Sequence, residues 1–452
     1  MTLLRDLTRG NPAKLIFLFT IPLLVGNIFQ QFYNMADTII VGQTLGKNAL
    51  AAVGSTGSIA FLIIGFAQGL TSGLSILTAQ FFGANDYKKV KQSFAASILI
   101  SLVVTVILTI LSLLFIHPML ELMQTPPEII DDAQTFISLI LGGIFAAMSF
   151  NLLSNMLRAL GDSRTPLVFL IIACIINVIL DLVLIMNVGM GVAGAGVATV
   201  TAQVCSSLMC VWYIKKRIPM LQIRKKDFHV DRAFIQAHLR VALPMAFQAS
   251  IIAIGAIILQ SALNSLGTDA VAAQAAASKI DQFATQPMAS FGITMATFTA
   301  QNYGAKQYHR ILTGVKQCLL MSCGFSIVAG LFMIFFNGSL VKLFVKSSET
   351  EVFRLAHTYF LANGSFYWVL AILFIIRYTL QGLGQSMIPT LAGIMELVMR
   401  SFAAIILTSF FGFAGAAIAS PLAWFGSVAV LIYSYIKAVK RLRQLSAEQQ
   451  TV

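Results

Sequence analysis

Three stretches of the chain, residues 48–85, 92–120 and 401–436, contain no charged side chain. Each is longer than the roughly 20 residues that an α-helix needs to cross a bilayer. Of all 452 residues, 58% are hydrophobic and 10% are charged, whereas an ordinary soluble domain is about 25% charged. Such a chain cannot cover its apolar surface in water. The sequence therefore predicts an integral membrane protein and excludes disordered, fibrous and disulfide-rich secreted classes.

Twelve apolar segments have the length of membrane-crossing helices, about twice that of the strands in a membrane barrel. The predicted spans are 15–41, 49–82, 92–116, 133–158, 166–186, 193–214, 241–265, 270–302, 312–336, 355–382, 388–411 and 414–436. They predict an all-α integral membrane protein. Its five cysteines and five histidines are scattered and lack the spacing of metal ligands. We therefore expect neither a bound metal nor a cofactor.

Basic residues concentrate in alternate loops of this predicted topology. Of the 30 Lys and Arg residues, 23 lie in one set of loops and termini, four lie in the other set and three lie inside spans. Because basic residues mark cytoplasmic loops, we expect a cell-membrane protein with both termini in the cytoplasm. The net charge of +13 then reflects membrane topology, and no nucleic-acid partner is expected.

The two halves of the chain share motifs at a nearly constant offset of 221–223 residues. IPLLVGNIFQQ matches LPMAFQASIIA, TAQFFGAND matches TAQNYGAKQ, RALGDSRTPL matches LQGLGQSMIPTL, and GVAGAGVAT matches GFAGAAIAS. Six spans per half give both halves the same orientation, so we predict two six-helix lobes related by a parallel pseudo-twofold axis, around a V-shaped central cavity. The predicted domains are a first lobe at 1–214, a basic cytoplasmic linker at 215–240, a second lobe at 241–440 and a cytoplasmic tail at 441–452.

Two acids lie inside spans of the first half. Asp37 follows Asn34 on one helix face, and Asp181 follows Asn177 in the same way. A charge at the bilayer centre costs about 2.5–3.5 kcal/mol on insertion scales, and a low dielectric favours the protonated form of a carboxyl group. These acids therefore suggest proton binding. A position at a helix end, wetted by headgroups, is the structural alternative.

The second half carries a different set of charges. Glu396 and Arg400 are four residues apart, in the order that favours a pair on one helix. Arg377 lacks a local partner, and we expect Asp281 or Glu396 to supply one. Lys279 and Asp281 do not face each other. This set either stabilises the second lobe or lines the cavity. Possible substrate or cavity residues are Gln30, Gln31, Asn34, Gln248, Gln260, Asp281, Arg377, Glu396 and Arg400.

The sequence resembles the multidrug and toxic compound extrusion (MATE) family over its whole length. MADTIIVG resembles the first helix of the family, and NVILDLVLI followed by GVAGAGVAT resembles its helix 5–6 segment. In DinF-like members these positions form a cation site in the first lobe. The resemblance thus implies that Asp37, Asn177, Asp181 and Thr199 bind H⁺ or Na⁺. A tyrosine of helix 4 that often joins this site has no clear match, and Phe136 is nearest.

The NorM-like branch of the family uses acids in helices 7 and 10 instead. Here helix 7 offers only Gln248 and Gln260, and helix 10 only Arg377. The resemblance therefore implies no sodium site of that type in the second lobe. MELVMR, which contains Glu396 and Arg400, is similar to helix 11 of DinF-like and Gram-positive drug-efflux members.

These observations predict a transporter rather than an enzyme. We expect a monomeric antiporter in the lipid bilayer that exports amphipathic organic cations in exchange for H⁺, with Na⁺ as the less favoured ion. A lipid-linked glycan flippase is the nearest alternative and would need an arginine-rich cavity for pyrophosphate. An intramembrane enzyme would need a metal cluster or a nucleophile–base set inside the spans. A channel remains a further alternative.

Overall fold

The structure, a computed structural model, describes residues 6–123, 125–345 and 348–450. These residues form helices joined by turns, without a β-strand. The α-helices are α1 Pro12–Leu45, α2 Lys47–Ser55, α3 Gly57–Gly83, α4 Tyr87–Leu122, α5 Ile130–Gly142, α6 Ile144–Ala159, α7 Arg164–Asp181, α8 Val192–Arg217, α9 Arg232–Asn264, α10 Thr268–Gly304, α11 Tyr308–Val341, α12 Thr350–Gly364, α13 Tyr367–Gly382, α14 Met387–Phe402, α15 Thr408–Phe411, α16 Phe413–Ala417 and α17 Ala419–Gln450. The predicted all-α class is confirmed. Arg5 and Lys346, which entered the charge count, lie outside the described ranges.

Within the described ranges, nine helical segments are long and apolar enough to cross a membrane. Two further pairs, α5 with α6 and α12 with α13, bend by 43° and 47° and qualify as broken spans. These eleven segments correspond to eleven of the twelve predicted spans. The remaining prediction, 270–302, coincides with helix α10. This helix is long enough, but Asp269, Lys279, Asp281 and its many Ala, Thr and Gln residues make it less apolar than the others.

The backbone repeats with the same offset as the sequence motifs. Four pairs of residues with left-handed backbone are separated by 221 or 223 positions: Gly46 and Gly267, Asn85 and Lys306, Gly161 and Gly384, Gly191 and Gly412. Six-residue and five-residue π-helical turns, Leu182–Asn187 and Ala403–Leu407, follow α7 and α14 at a similar separation. Because the turns fix where each helix begins and ends, their repetition gives the two halves the same order of helices.

The described residues form two compact units. Of the described residues, unit 1 comprises Asp6 and those within 25–250, and unit 2 comprises those within 7–24 and 251–450. Their boundaries fall inside α1 and α9 and not in the predicted linker. The hydroxyls of Thr20 and Thr294 are hydrogen-bonded at 2.8 Å in unit 2, and His238 Nε2 and the Ser93 hydroxyl at 2.7 Å in unit 1. Compared with the predicted lobes, each unit therefore includes the first part of the other half's first helix.

The predicted linker is mostly helical. Lys215, Lys216 and Arg217 end α8, and residues 232–240 begin α9. Between them, Ile218 and Leu221 are buried in the apolar core of unit 1. The connection is therefore fixed to unit 1 by these apolar anchors.

Helices α3 and α9 of unit 1 are in close contact at Gly73. A Cβ atom added at Gly73 in α3 would lie 2.5 Å from the Cα of Ala242 in α9. We expect Gly73→Ala to force the helices apart and to lower stability by about 1–3 kcal/mol, as overpacking does. Gly54→Ala in α2 is the control, because a Cβ there meets no atom within 4 Å. Thermal unfolding in detergent is the measurement, and equal midpoints for the two variants would contradict the packing.

Candidate functional site

A cavity of about 480 Å³ lies among the helices of unit 1. Its polar lining comes from α1, α3, α6 and α8, and phenylalanine rings contribute to its apolar walls. The uncharged polar residues in the lining include Gln30, Tyr33, Asn34, Thr38, Gln68, Asn151, Thr199 and Gln203. The cavity is lined by one acid, Asp37, and by no Lys, Arg or His. Its chemistry is therefore that of amide and hydroxyl groups around a single carboxyl group.

A second carboxyl group, that of Asp181, is not part of the cavity lining. Asp181 ends α7 just before the π-helical turn and is completely buried. The Asp37 carboxyl group is its electrostatic neighbour. In the described structure, however, neither Oδ atom of Asp181 has a partner in hydrogen-bonding geometry, and the same holds for Oδ1 of Asp37. The pair therefore has buried oxygen atoms without hydrogen-bond partners. It also lies next to a π-helical turn, and such turns often occur at functional sites.

The hydroxyl of Thr199 on α8 connects α1 and α7, the helices that carry Asp37 and Asp181. The hydroxyl of Tyr33 on α1 donates a 3.2 Å hydrogen bond to Thr199 Oγ1 on α8. Asn177 on α7 donates to the same oxygen through Nδ2 at 3.4 Å. Asn177 is fully buried, and its Oδ1 has no partner within the described residues. The structure thus brings Asp37, Asn177, Asp181 and Thr199 together.

Two neighbouring carboxyl groups cannot both be ionised at low cost, because each charge disfavours the other. Binding a cation or a proton removes that repulsion. The oxygens of Asp37, Asp181, Asn177 and Thr199 also suit a hard cation such as Na⁺. No group of three or more His, Cys, Asp or Glu residues that could hold a metal occurs in the described part of the chain.

Sequence reasoning missed Tyr33, although a signal was available. Tyr33 precedes Asp37 by four residues and so lies on the same helix face. The family resemblance points instead to a tyrosine on helix 4, where the nearest residue of this chain is Phe136, which lines the cavity but has no hydroxyl group. Gln68, Asn151 and Gln203 were also missed. Each is an amide within a largely apolar helix, and that is a weak but usable signal.

The charges of the second half form two separate contacts in unit 2. Arg377 on α13 is ion-paired with Glu396 on α14, and its Nη2 also donates to the Ser427 hydroxyl at 3.1 Å. Of the two partners expected for Arg377, the structure has Glu396. The expected Glu396–Arg400 pair is not formed, because Glu396 points to Arg377 across the two helices. Asp281 accepts a hydrogen bond from the Tyr367 hydroxyl instead.

The remaining predicted residues are dispersed. Gln31 is half-buried and is not part of the lining of the unit 1 cavity. Gln248 is buried in the first part of α9, within unit 1. Gln260 is exposed and donates to Asn264 Oδ1 at 2.9 Å. Within unit 1, neither Gln31 nor Gln248 is part of the lining of the cavity that contains Asp37.

Apolar spans around a polar, acid-containing cavity define a multi-pass membrane transporter. The MatE family model matches residues 22–183 and 244–406, more than half of the chain. The chain therefore belongs to the MatE family, whose members are transporters and not enzymes.

Individual relatives agree with this assignment. The chain is 28% identical to the "Probable multidrug resistance protein YoeA" of Bacillus subtilis, over 84% of this chain and 83% of that protein. It is 25% identical to a "FAD transporter" of Shewanella oneidensis, over 86% of both chains. Among solved structures, "Crystal structure of MATE in complex with MaL6" matches with a TM-score of 0.89 at 25% identity, covering 98% of this chain and 99% of that one.

Proposed function

We propose that the protein is a multidrug antiporter that exports amphipathic organic cations in exchange for protons. The observation that carries this proposal is the pair of interacting carboxyl groups, Asp37 and Asp181, with unused oxygen atoms at a cavity that has no basic lining residue. Proton uptake by the pair changes the charge next to the substrate space. Protonation therefore favours a different conformation, and alternating access couples proton entry to substrate release.

The charge of the cavity distinguishes between the substrates of the two named relatives. A multidrug resistance protein and a FAD transporter are both similar to this chain. FAD carries a negatively charged pyrophosphate, for which basic side chains are the usual partners. An acidic wall attracts cations by simple electrostatics. The lining of the unit 1 cavity therefore favours organic cations over an anionic flavin nucleotide.

A lipid-linked glycan flippase would need different side chains at its substrate site. A lipid-linked pyrophosphate needs accessible arginine side chains. Arg377 is buried and already engaged by Glu396 and Ser427. These contacts support export of organic cations over transport of lipid-linked glycans.

The direct test is ethidium efflux from vesicles that carry the purified protein, driven by an imposed pH gradient or by an imposed sodium gradient. We expect the pH gradient to drive efflux in the native protein, and efflux to be lost in Asp37→Asn. Efflux driven by the sodium gradient alone would identify Na⁺, and not the proton, as the coupling ion. Absence of efflux under either gradient, with folded protein present, would contradict drug export. Transport of lipid-linked substrates would then be the next activity to assay.

Tyr33 provides a finer test of the site. Tyr33→Phe removes the hydroxyl that bonds Thr199 and leaves the ring in place. A typical hydrogen bond contributes about 0.5–1.5 kcal/mol, so we expect export to fall roughly two- to tenfold rather than to vanish. Tyr87→Phe is the control, because the Tyr87 hydroxyl bonds only the exposed Asn85 side chain at 3.0 Å. Equal export rates for the two variants would exclude Tyr33 from the site.

A further inference from the structure

Another acid lies deep within a helix of unit 2. Asp281 is about 20 Å along the axis of α10 from its first residue, Thr268, and about 34 Å from its last residue, Gly304. The hydrocarbon layer of a bilayer is about 30 Å thick. Asp281 therefore lies away from both ends of a helix that is long enough to cross the bilayer.

The carboxyl group of Asp281 is held by a tyrosine. The Tyr367 hydroxyl on α13 donates a hydrogen bond to Asp281 Oδ1. Tyr367 is completely buried, and its ring centroid lies 6.4 Å from that of Trp424 on α17. Tyr359 on α12 is a further electrostatic neighbour of Asp281. Since packing fixes Tyr367, its hydroxyl holds the carboxyl group in a defined position.

No basic side chain of the described residues pairs with this carboxyl group. Arg377 is ion-paired with Glu396, and Arg400 on α14 is an electrostatic neighbour of Tyr359 and forms no ion pair with Asp281. Lys279 is exposed and lies two positions away on α10, so it points in a different direction. Helix α11, also packed against α10, presents no charged side chain that interacts with Asp281. Asp281 thus has a hydrogen-bond donor but no counter-ion.

An ionised carboxylate held among packed helices without a counter-ion is costly. Uptake of one proton removes the charge and leaves the hydrogen bond from Tyr367 in place. We infer that Asp281, positioned by Tyr367, is a second proton-binding site, located in unit 2 and separate from Asp37 and Asp181. Its part in transport rests on the proposed proton coupling, whereas proton binding itself is measurable without transport.

Two proton sites have an electrical consequence. When one proton enters at each site and one monovalent organic cation leaves, a cycle moves one net positive charge inward. An inside-negative membrane potential then accelerates export. With the unit 2 site removed, one proton exchanges for one cation, and the cycle is electrically neutral.

Proton binding is tested first on the purified protein, without substrate or gradient. Trp424 lies beside Tyr367, so its fluorescence should report a change at Asp281. We expect a pH-dependent change in emission that is lost in Asp281→Asn, in Tyr367→Phe and in the reporter control Trp424→Phe. The change should persist in Asp37→Asn and in Asp269→Asn, which alters an exposed acid of the same helix. No transition in the native protein, or a transition that persists in Asp281→Asn, would overturn the inference.

The ion is identified by repeating the titration in sodium and in potassium salts. We expect the same midpoint in both, because the site binds a proton. A midpoint that moves with sodium concentration would overturn the proton assignment and indicate a metal-cation site.

The transport consequence is tested in vesicles at a fixed pH gradient with the membrane potential set by a potassium ionophore. Export by the native protein should rise with an inside-negative potential, and export by Asp281→Asn should lose that dependence. Potential dependence that persists in Asp281→Asn would overturn the role of this site in coupling. If a pH gradient drives no export in the native protein, the proposed function fails, whereas the fluorescence titration still decides whether Asp281 binds a proton.

Discussion

Asp181→Asn should reduce ethidium efflux driven by a pH gradient to the level of vesicles without protein. The asparagine has almost the same size as the aspartate but cannot take up and release a proton. Because the substitution also removes an uncompensated buried carboxyl group, we expect no loss of thermal stability. Efflux per folded molecule, measured beside a melting curve, separates loss of coupling from loss of fold.

The matched control is Asp131→Asn, which changes an exposed acid in the first turn of α5. This variant should export at the native rate. If Asp181→Asn also exports at the native rate, Asp181 does not take part in the mechanism. If both variants lose activity, the loss is not specific to Asp181 and does not identify a coupling site.

Glu396→Gln should cause the largest loss of stability, because it leaves the guanidinium group of Arg377 buried without its counter-ion. The side chains of both residues are only 6% exposed. Breaking such a pair from one side typically costs about 3–5 kcal/mol. We expect a clear fall in the midpoint of thermal unfolding in detergent. The double variant Arg377→Met with Glu396→Met should recover most of it, since an apolar pair of similar volume avoids the buried charge.

An exposed ion pair of the same unit is the control. Glu351 and Arg354 are bonded at 2.6 Å on the surface of α12, where ion pairs contribute little. Glu351→Gln should therefore leave the unfolding midpoint unchanged. If Glu396→Gln unfolds at the native temperature but changes the range of drugs exported, the residue contacts substrate and the pair is not structural.

The sequence predicted where the long helices lie, because the length of an apolar run is local chemistry, but it did not predict the breaks inside 49–82, 133–158 and 355–382. Apolar runs without charge have the length of membrane helices, and they became helices. Glycines at repeated motifs, such as Gly161 and Gly384, adopt left-handed backbone in both halves. Helix α10 differs from the other long helices because it is less apolar. Its acids and lysine show that a long helix of a membrane protein need not be uniformly apolar.

The acid site was predicted in part. The positions of Asp37 and Asp181 were clear, since charges inside apolar spans are expensive and rare. The residues that share a helix face with them, Asn34 and Asn177, followed from helical periodicity. The role of Thr199 was implied only by resemblance, and the structure shows how two helices bond to its hydroxyl. Tyr33 could have been found from the same periodicity.

The sequence by itself determined the class of the protein, the helical segments, the internal repeat and the presence of acids in the first half. Each of these depends on composition or on spacing within one helix. Only the tertiary structure decided that Arg377 pairs with Glu396, that Tyr367 binds Asp281, and that the units divide within α1 and α9. Such partners lie on different helices, and the rotation and height at which two helices pack depend on the whole unit. Spacing along the chain does not contain that information.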